Sequence, residues 1–361
     1  MIAIPAFFYS LAFSTDLLPV PGIPYAPQHY ICYHAPEKLT IDGKLDEPAW
    51  QKAIWTDKFN DIEGSLKPEP RFSARAKLLW DSTYFYVGAE LQEPDVWATL
   101  KERDAVIYHD NDFEVFIDPD ADTHEYYELE VNALNTVWDL LLIKPYRDGG
   151  PAVNAWDIQG LKTAVNINGT LNYPGDVDSG WSVEIAIPWK VLSECAHCSS
   201  LPQDGDQWKV NFSRVEWHSE VKNGTYIKVL DPKTGKSLPE DNWVWSPQGL
   251  IAMHYPEMWG LVQFSTDAPE AKAVDFMSDP ADSARWALRE IFYSERNYFN
   301  LNGRYTATSN DLKVKPKSLR DFTWPPIIEA TADLFEATLL STDGKKILRI
   351  TQDGKITLEF K

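Results

Sequence analysis

Between Leu39 and Phe264, short runs of β-branched and aromatic residues alternate with turn-forming residues, a period-two pattern that predicts an all-β sandwich. The expected strands are Ala76–Trp80, Tyr84–Leu91, Asp112–Asp118, Tyr126–Trp138, Ala164–Asn168, Trp181–Ile187, Trp208–Trp217 and Gly260–Phe264. Asp81-Ser82-Thr83 reads as the turn between the first two, with Phe85, Val87, Ala89 and Leu91 on one face. Pro188–Leu192 reads as a short helical turn. Strand periodicity stops at Ser265–Asp275. Beyond it, Asp279-Pro280 supplies an N-cap and a proline at the first helical position. Ala284, Leu288, Ile291, Phe292 and Phe299 then share a helical face that ends near Asn302-Gly303. Alternation returns in Phe335–Leu340, Lys346–Gln352 and Lys355–Phe360, around two Asp-Gly turns. The chain is therefore expected to be mainly β. An antiparallel sandwich over 37–266 follows a proline-rich extended or signal-like segment, 1–36, and precedes a small α+β domain, 267–361.

A length of 361 residues exceeds what one core usually serves, in keeping with two domains. Fifteen Trp, sixteen Tyr and sixteen Phe are more than a core consumes, and flat rings with polar handles suit the C–H faces of sugars. A net charge of −20 repels phosphate backbones and anionic lipids alike, which argues against nucleic acid but not against neutral glycans. Cys195-Ala-His-Cys198 has half-zinc or thioredoxin-like spacing without a second half-site, leaving a local disulfide or two thiols. Residues 1–14 resemble the apolar core of a secretory signal without its basic start, and an apolar arm is the other reading. No run is apolar enough to cross a bilayer as a helix.

Leu39-Thr-Ile-Asp-Gly-Lys-Leu-Asp-Glu-Pro-Ala-Trp50, Ala76–Asp81 with Tyr84–Val87, Asn111–Asp118, Gly180–Trp189 and Trp259-Gly260 occur in order. As a set they resemble the family 9-like carbohydrate-binding modules, which belong with the DOMON-like β-sandwiches. The resemblance implies a non-catalytic sandwich that clamps a terminal sugar between two aromatic rings and reads its hydroxyls with carboxylates and amides. It places Tyr108 at the first aromatic position and Glu114 at the sugar-reading carboxylate. Met253 stands near where the second ring is expected, and Glu130 near where a basic residue is expected. The implied setting is extracellular, cell-surface or periplasmic, in support of carbohydrate catabolism.

Strand period independently puts Glu128, Glu130, Asn132 and, if the strand runs unbroken, Trp138 on one face, with Glu114 on the matching face of its neighbour. The expected ligand set is Tyr108, Glu114, Glu130, Asn132, Trp138, Trp245 and His254. Asp118, Asp120 and Asp122 form an oxygen-rich turn that lacks EF-hand spacing yet suits Ca2+; no cofactor is otherwise required. Two rival functions stay open. A glycosidase needs a carboxylate pair, though no catalytic motif selects one here. A haem module is open because DOMON-like relatives use Met and His ligands, and Met253, His254 and His109 are available. Ala287–Tyr305 is similar to the helix-to-loop stretch of pilin-like proteins, and the tail is expected to serve stability or protein contact through Trp286, Tyr293 or Tyr298.

Overall fold

The computed structural model describes residues 17–196 and 201–361. The signal-like residues 1–14 and Cys198 lie outside them. Contacts divide the described residues into Pro21–Ser278 and a second unit of Asp279–Lys361 with residues 17–20.

The first unit carries β1 (His29–His34), β2 (Asn60–Asp61), β3 (Ala74–Trp80), β4 (Tyr84–Leu91), β5 (Asp112–Asp118), β6 (Tyr126–Asn132), β7 (Val137–Leu142) and β8 (Ala152–Val153). There follow β9 (Lys162–Asn168), β10 (Gly180–Pro188), β11 (Gln207–Glu216), β12 (Ser219–Lys222), β13 (Thr225–Lys228), β14 (Asp241–Val244) and β15 (Gly260–Ser265). Two short helices, α1 (Pro48–Lys52) and α2 (Trp189–Leu192), interrupt them. All but the β12–β13 hairpin join one curled sheet in the order β8-β7-β6-β5-β11-β15-β1-β3-β4-β10-β9, with β14 and β2 branching from β11. Pairing is antiparallel except at β1, which runs parallel to both β15 and β3 and links the two halves. Phe113, Val115 and Ile117 of β5 and Leu129 and Val131 of β6 share one core with Leu78, Val87, Val183 and Ile185 from the other half. The antiparallel sandwich over a common core is as expected.

Two expectations are corrected. The proline-rich lead-in contains a strand: His29–His34 has no proline, and its Tyr30 and Cys32 enter the core. The single run Tyr126–Trp138 is two strands, because Asn132 turns the chain. Its Oδ1 accepts from the Leu134 and Thr136 amides, 3.0 Å each, and Asn135 adopts φ +59°.

The Leu39–Trp50 motif packs on the outer face of the opposite half, where Trp50 is fully buried with Leu79 and Tyr86. Glu184 of β10 anchors it. One carboxylate oxygen accepts from Trp50 Nε1 at 2.8 Å and the other from the Asp42 and Gly43 amides at 2.9 and 3.1 Å. Gly43 is needed at φ +87°, where a Cβ would stand 2.6 Å from the Val165 carbonyl carbon.

In the second unit the expected helix is α3 (Pro280–Asn302), capped by the Asp279 carboxylate on the Ala281 amide and ended by Gly303 at φ +68°. A short α4 (Ser309–Leu312) follows. The sheet has four strands, one more than the pattern shows: β16 (Ile327–Ala330), β17 (Phe335–Leu340), β18 (Lys346–Thr351) and β19 (Ile356–Phe360). Tyr293 is buried, with its ring edge-on to Trp286.

Candidate functional site: an acidic face edged by tyrosines

The outer face of β5, β6, β7 and β11 carries two cross-strand rows. Ser213, Glu114, Glu130 and Trp138 stand opposite one another in register, and beside them Asn211, Phe116, Glu128 and Leu140. Part of this face is covered: Phe116, Tyr126, Leu140, Leu142 and Trp259 cluster with Trp138 and Met253 packed against them. Among the described residues no such apolar cluster covers the acidic part. Like charges opposite one another across a strand pair are ordinarily destabilising, which makes Glu114 facing Glu130 a feature that packing alone does not ask for.

Burial, reinforced by mutual repulsion, raises all the carboxyls here. Glu114 is pushed up to about 7, moderated by the Ser213 hydroxyl donating to it. Asp112, Glu128 and Glu130 are held well above the usual carboxylate range, and Glu128 and Glu130 are hydrogen-bonded to each other. The group therefore both donates and accepts hydrogen bonds near neutral pH.

Tyr108 sits on the 3-10 turn Ile107–His109, anchored by buried Ile107. Its amide donates to Glu130 (2.9 Å) and its carbonyl accepts from Trp217 Nε1 (2.8 Å), while the residue is 37% exposed. Arg214 reinforces this loop: it pairs with Glu93, which accepts from Asn111 Nδ2 at 3.1 Å. A second ring, Tyr146, is 48% exposed and packs edge-on to His254 at 4.5 Å. His254 Nδ1 meets the Tyr126 hydroxyl at 2.9 Å, and Nε2 lies 3.9 Å from Glu128. Burial lowers the His254 pKa to about 3, so the ring is neutral. Both tyrosines lie within electrostatic reach of Glu128 and Glu130, and burial together with these carboxyls raises the tyrosine hydroxyl pKa values.

Of the expected ligand set, the structure brings together Tyr108, Glu114, Glu130, Trp138 and His254. Trp245 is not among them. It is 1% exposed in the inter-sheet core, its ring against Gly260, where a Cβ would meet it at 2.4 Å. Asn132 is on the face, but both ends of its amide are used within the turn, Nδ2 donating to Leu100 O and Asp110. Sequence reasoning missed Tyr146, which lies in a loop without strand period. It left Glu128 out although alternation put it on the face. The arrangement of His254 also bears on the haem reading, since its two ring nitrogens already face Tyr126 and Glu128.

Two clusters of acidic residues could hold a metal ion: Asp112, Glu114 and Glu130, and Asp118, Asp120 and Asp122, the oxygens of each cluster lying within 4.8 Å of one another. The second lies between β5 and β6. There Asp118 takes the Ala121 and Thr123 amides at 3.0 Å each and Asp122 takes the His124 amide at 2.7 Å. A third acidic group, Asp104, Asp139 and Asp157, is paired with Arg103. Cys195 is half-buried, and burial pushes its thiol up to about 11, unlike a reactive thiolate.

Among the described residues no helix is long and apolar enough to cross a membrane. Exoglucanase XynX of Acetivibrio thermocellus is 31% identical over 155 residues, 42% of this chain and 12% of that protein. An endo-1,4-beta-xylanase A of Thermoanaerobacterium saccharolyticum is 29% identical over 153 residues, 42% of this chain and 11% of that protein. The similarity thus spans only about an eighth of the length of these relatives. Among solved structures, a family 9 carbohydrate-binding module from Caldicellulosiruptor kristjanssonii in complex with cellotriose aligns over 69% of this chain and 99% of its own, at 16% identity and TM-score 0.42. A putative carbohydrate-binding protein from Bacteroides uniformis aligns over 66% and 100%, at 16% identity and TM-score 0.48. The family model for carbohydrate family 9 binding domain-like proteins matches residues 41–234, more than half of the chain. With its signature motifs seated in a curled β-sandwich, the chain belongs to the carbohydrate family 9 binding domain-like family.

Proposed function

We propose that the sandwich captures saccharides on the outer face of β5–β7, as a non-catalytic module that works outside the cytoplasm in glycan breakdown. The observation that carries this reading is the pair of exposed rings, Tyr108 and Tyr146, beside Glu114, Glu128 and Glu130. Tyrosine offers an apolar face to sugar C–H groups, and carboxyls offer donors and acceptors to hydroxyls. Trp138, partly exposed opposite Glu130, extends the face. Relatives that share this segment are named as glycan-degrading enzymes of which it is a small part, which supports capture alongside catalysis elsewhere.

The turn of Asp118, Asp120 and Asp122 fits Ca2+: three carboxylates, two of them buried, with no imidazole or thiolate in the set. Bound there, the ion would stiffen the β5–β6 connection beneath the site. Calorimetry of the full chain against a panel of mono- and oligosaccharides tests the capture reading. It expects saturable binding without release of reducing sugar, and the absence of binding to every saccharide of the panel overturns it.

A further inference from the structure

We propose, resting on the saccharide reading above, that the site selects sugars carrying a protonated amine, the free-amine hexosamines and their oligomers, with the ammonium seated against Glu114 and Glu128 above Asp112 and Glu130. Four carboxyls share this face. Those of Asp112, Glu114 and Glu130 lie within 4.8 Å of one another, and Glu128 hydrogen-bonds to Glu130. Among the described residues none of the four pairs with a lysine or arginine; the nearest ring nitrogen, His254 Nε2, is 3.9 Å from Glu128 and uncharged. Nearby cations are committed elsewhere, Arg147 to Glu257 at 2.8 Å and Lys228 over the Trp217 ring at 3.2 Å.

A second observation points to a missing partner. Asp112 is 0% exposed, and its Oδ1 accepts from the Val215 amide at 3.1 Å, but its Oδ2 has no hydrogen-bond partner. An unsatisfied buried acceptor is costly, and a concentration of carboxyls without counter-charge compounds the cost. An incoming ammonium would supply the missing donors and the counter-charge, gaining charge-assisted hydrogen bonds. The exposed rings of Tyr108 and Tyr146 add faces that attract a cation as well as C–H groups. A neutral hexose would meet the same rings and hydrogen bonds but supply no charge.

The test is calorimetry of the full-length chain with glucosamine, N-acetylglucosamine and glucose, in EDTA and then in CaCl2, near pH 6.5. The expected result in EDTA is glucosamine binding at least about tenfold tighter than its acetylated, uncharged counterpart, as charge-assisted contacts predict. Glu114→Gln and Glu128→Gln should erase that preference, bringing glucosamine and N-acetylglucosamine to equal affinity. Equal affinity for glucosamine and N-acetylglucosamine overturns amine selection and leaves saccharide capture standing. No binding of any saccharide overturns both. Sugar binding that appears only with Ca2+ assigns the cluster to the metal and overturns the proposal.

Discussion

Tyr108 holds its ring out while its backbone is tied at both ends, to Glu130 and to Trp217. Such a ring is placed before a ligand arrives, so its removal should cost contact rather than fold. Tyr108→Ala and Tyr146→Ala are each expected to weaken saccharide binding by about 1–3 kcal/mol in calorimetry, with little change in melting temperature. Glu114 makes a separate prediction for stability. Its pKa is about 7 in the folded chain against 4.5 for a free side chain, because burial disfavours the charge. Between those values the folded chain binds more protons than the unfolded one, so the stabilising contribution is full below about pH 4.5 and is lost as pH rises through 7. The groups facing it, Asp112, Glu128 and Glu130, shift in the same direction. Melting temperature should therefore fall from pH 5 to pH 8, and Glu114→Gln, neutral throughout, should fall less. A steeper fall in the variant would contradict the assignment.

At the scale of elements, alternation read the strands well where one face met the core and the other did not, as in Asp112–Asp118. It failed where a polar side chain redirected the chain. Nothing in a period of two announces that Asn132 will spend its amide on a turn, or that Trp245, in step with Trp243, will face the inter-sheet core rather than the acidic face. Strand period gave Glu130 and Trp138 and, with the family resemblance, Glu114; the resemblance alone gave Tyr108, on a turn, while Tyr146 sits on another 3-10 turn that neither signal reached. The signature motif at Leu39–Trp50 proves structural, held by Glu184 on the half of the sheet opposite the acidic face. Glu184→Ala strips acceptors from the Trp50 indole and two amides. It should destabilise the sandwich by about 3 kcal/mol, as expected for buried donors left unmatched, and a denaturation midpoint unchanged from wild type would count against that role.

For the molecule as a whole, every residue assigned to the saccharide site falls within Pro21–Ser278. A chain ending at Ser278 is expected to keep saccharide affinity within about twofold, since no ligand contact is removed. Loss of binding on that truncation would move the site into the tail, for which we propose stability or protein contact. The parallel pairing of β1 also governs how the sandwich can be made. During synthesis the β3–β4 and β5–β6–β7 hairpins can zip as they leave the ribosome, but His29 must wait for Leu261. Through most of translation the first strand is then an open edge able to recruit a strand of another nascent chain. Pro19, Pro21, Pro24 and Pro27 lie directly ahead of it, and a stretch so rich in residues without an amide proton cannot extend such a mispairing. The proline-rich approach guards the waiting strand until its partner is synthesised.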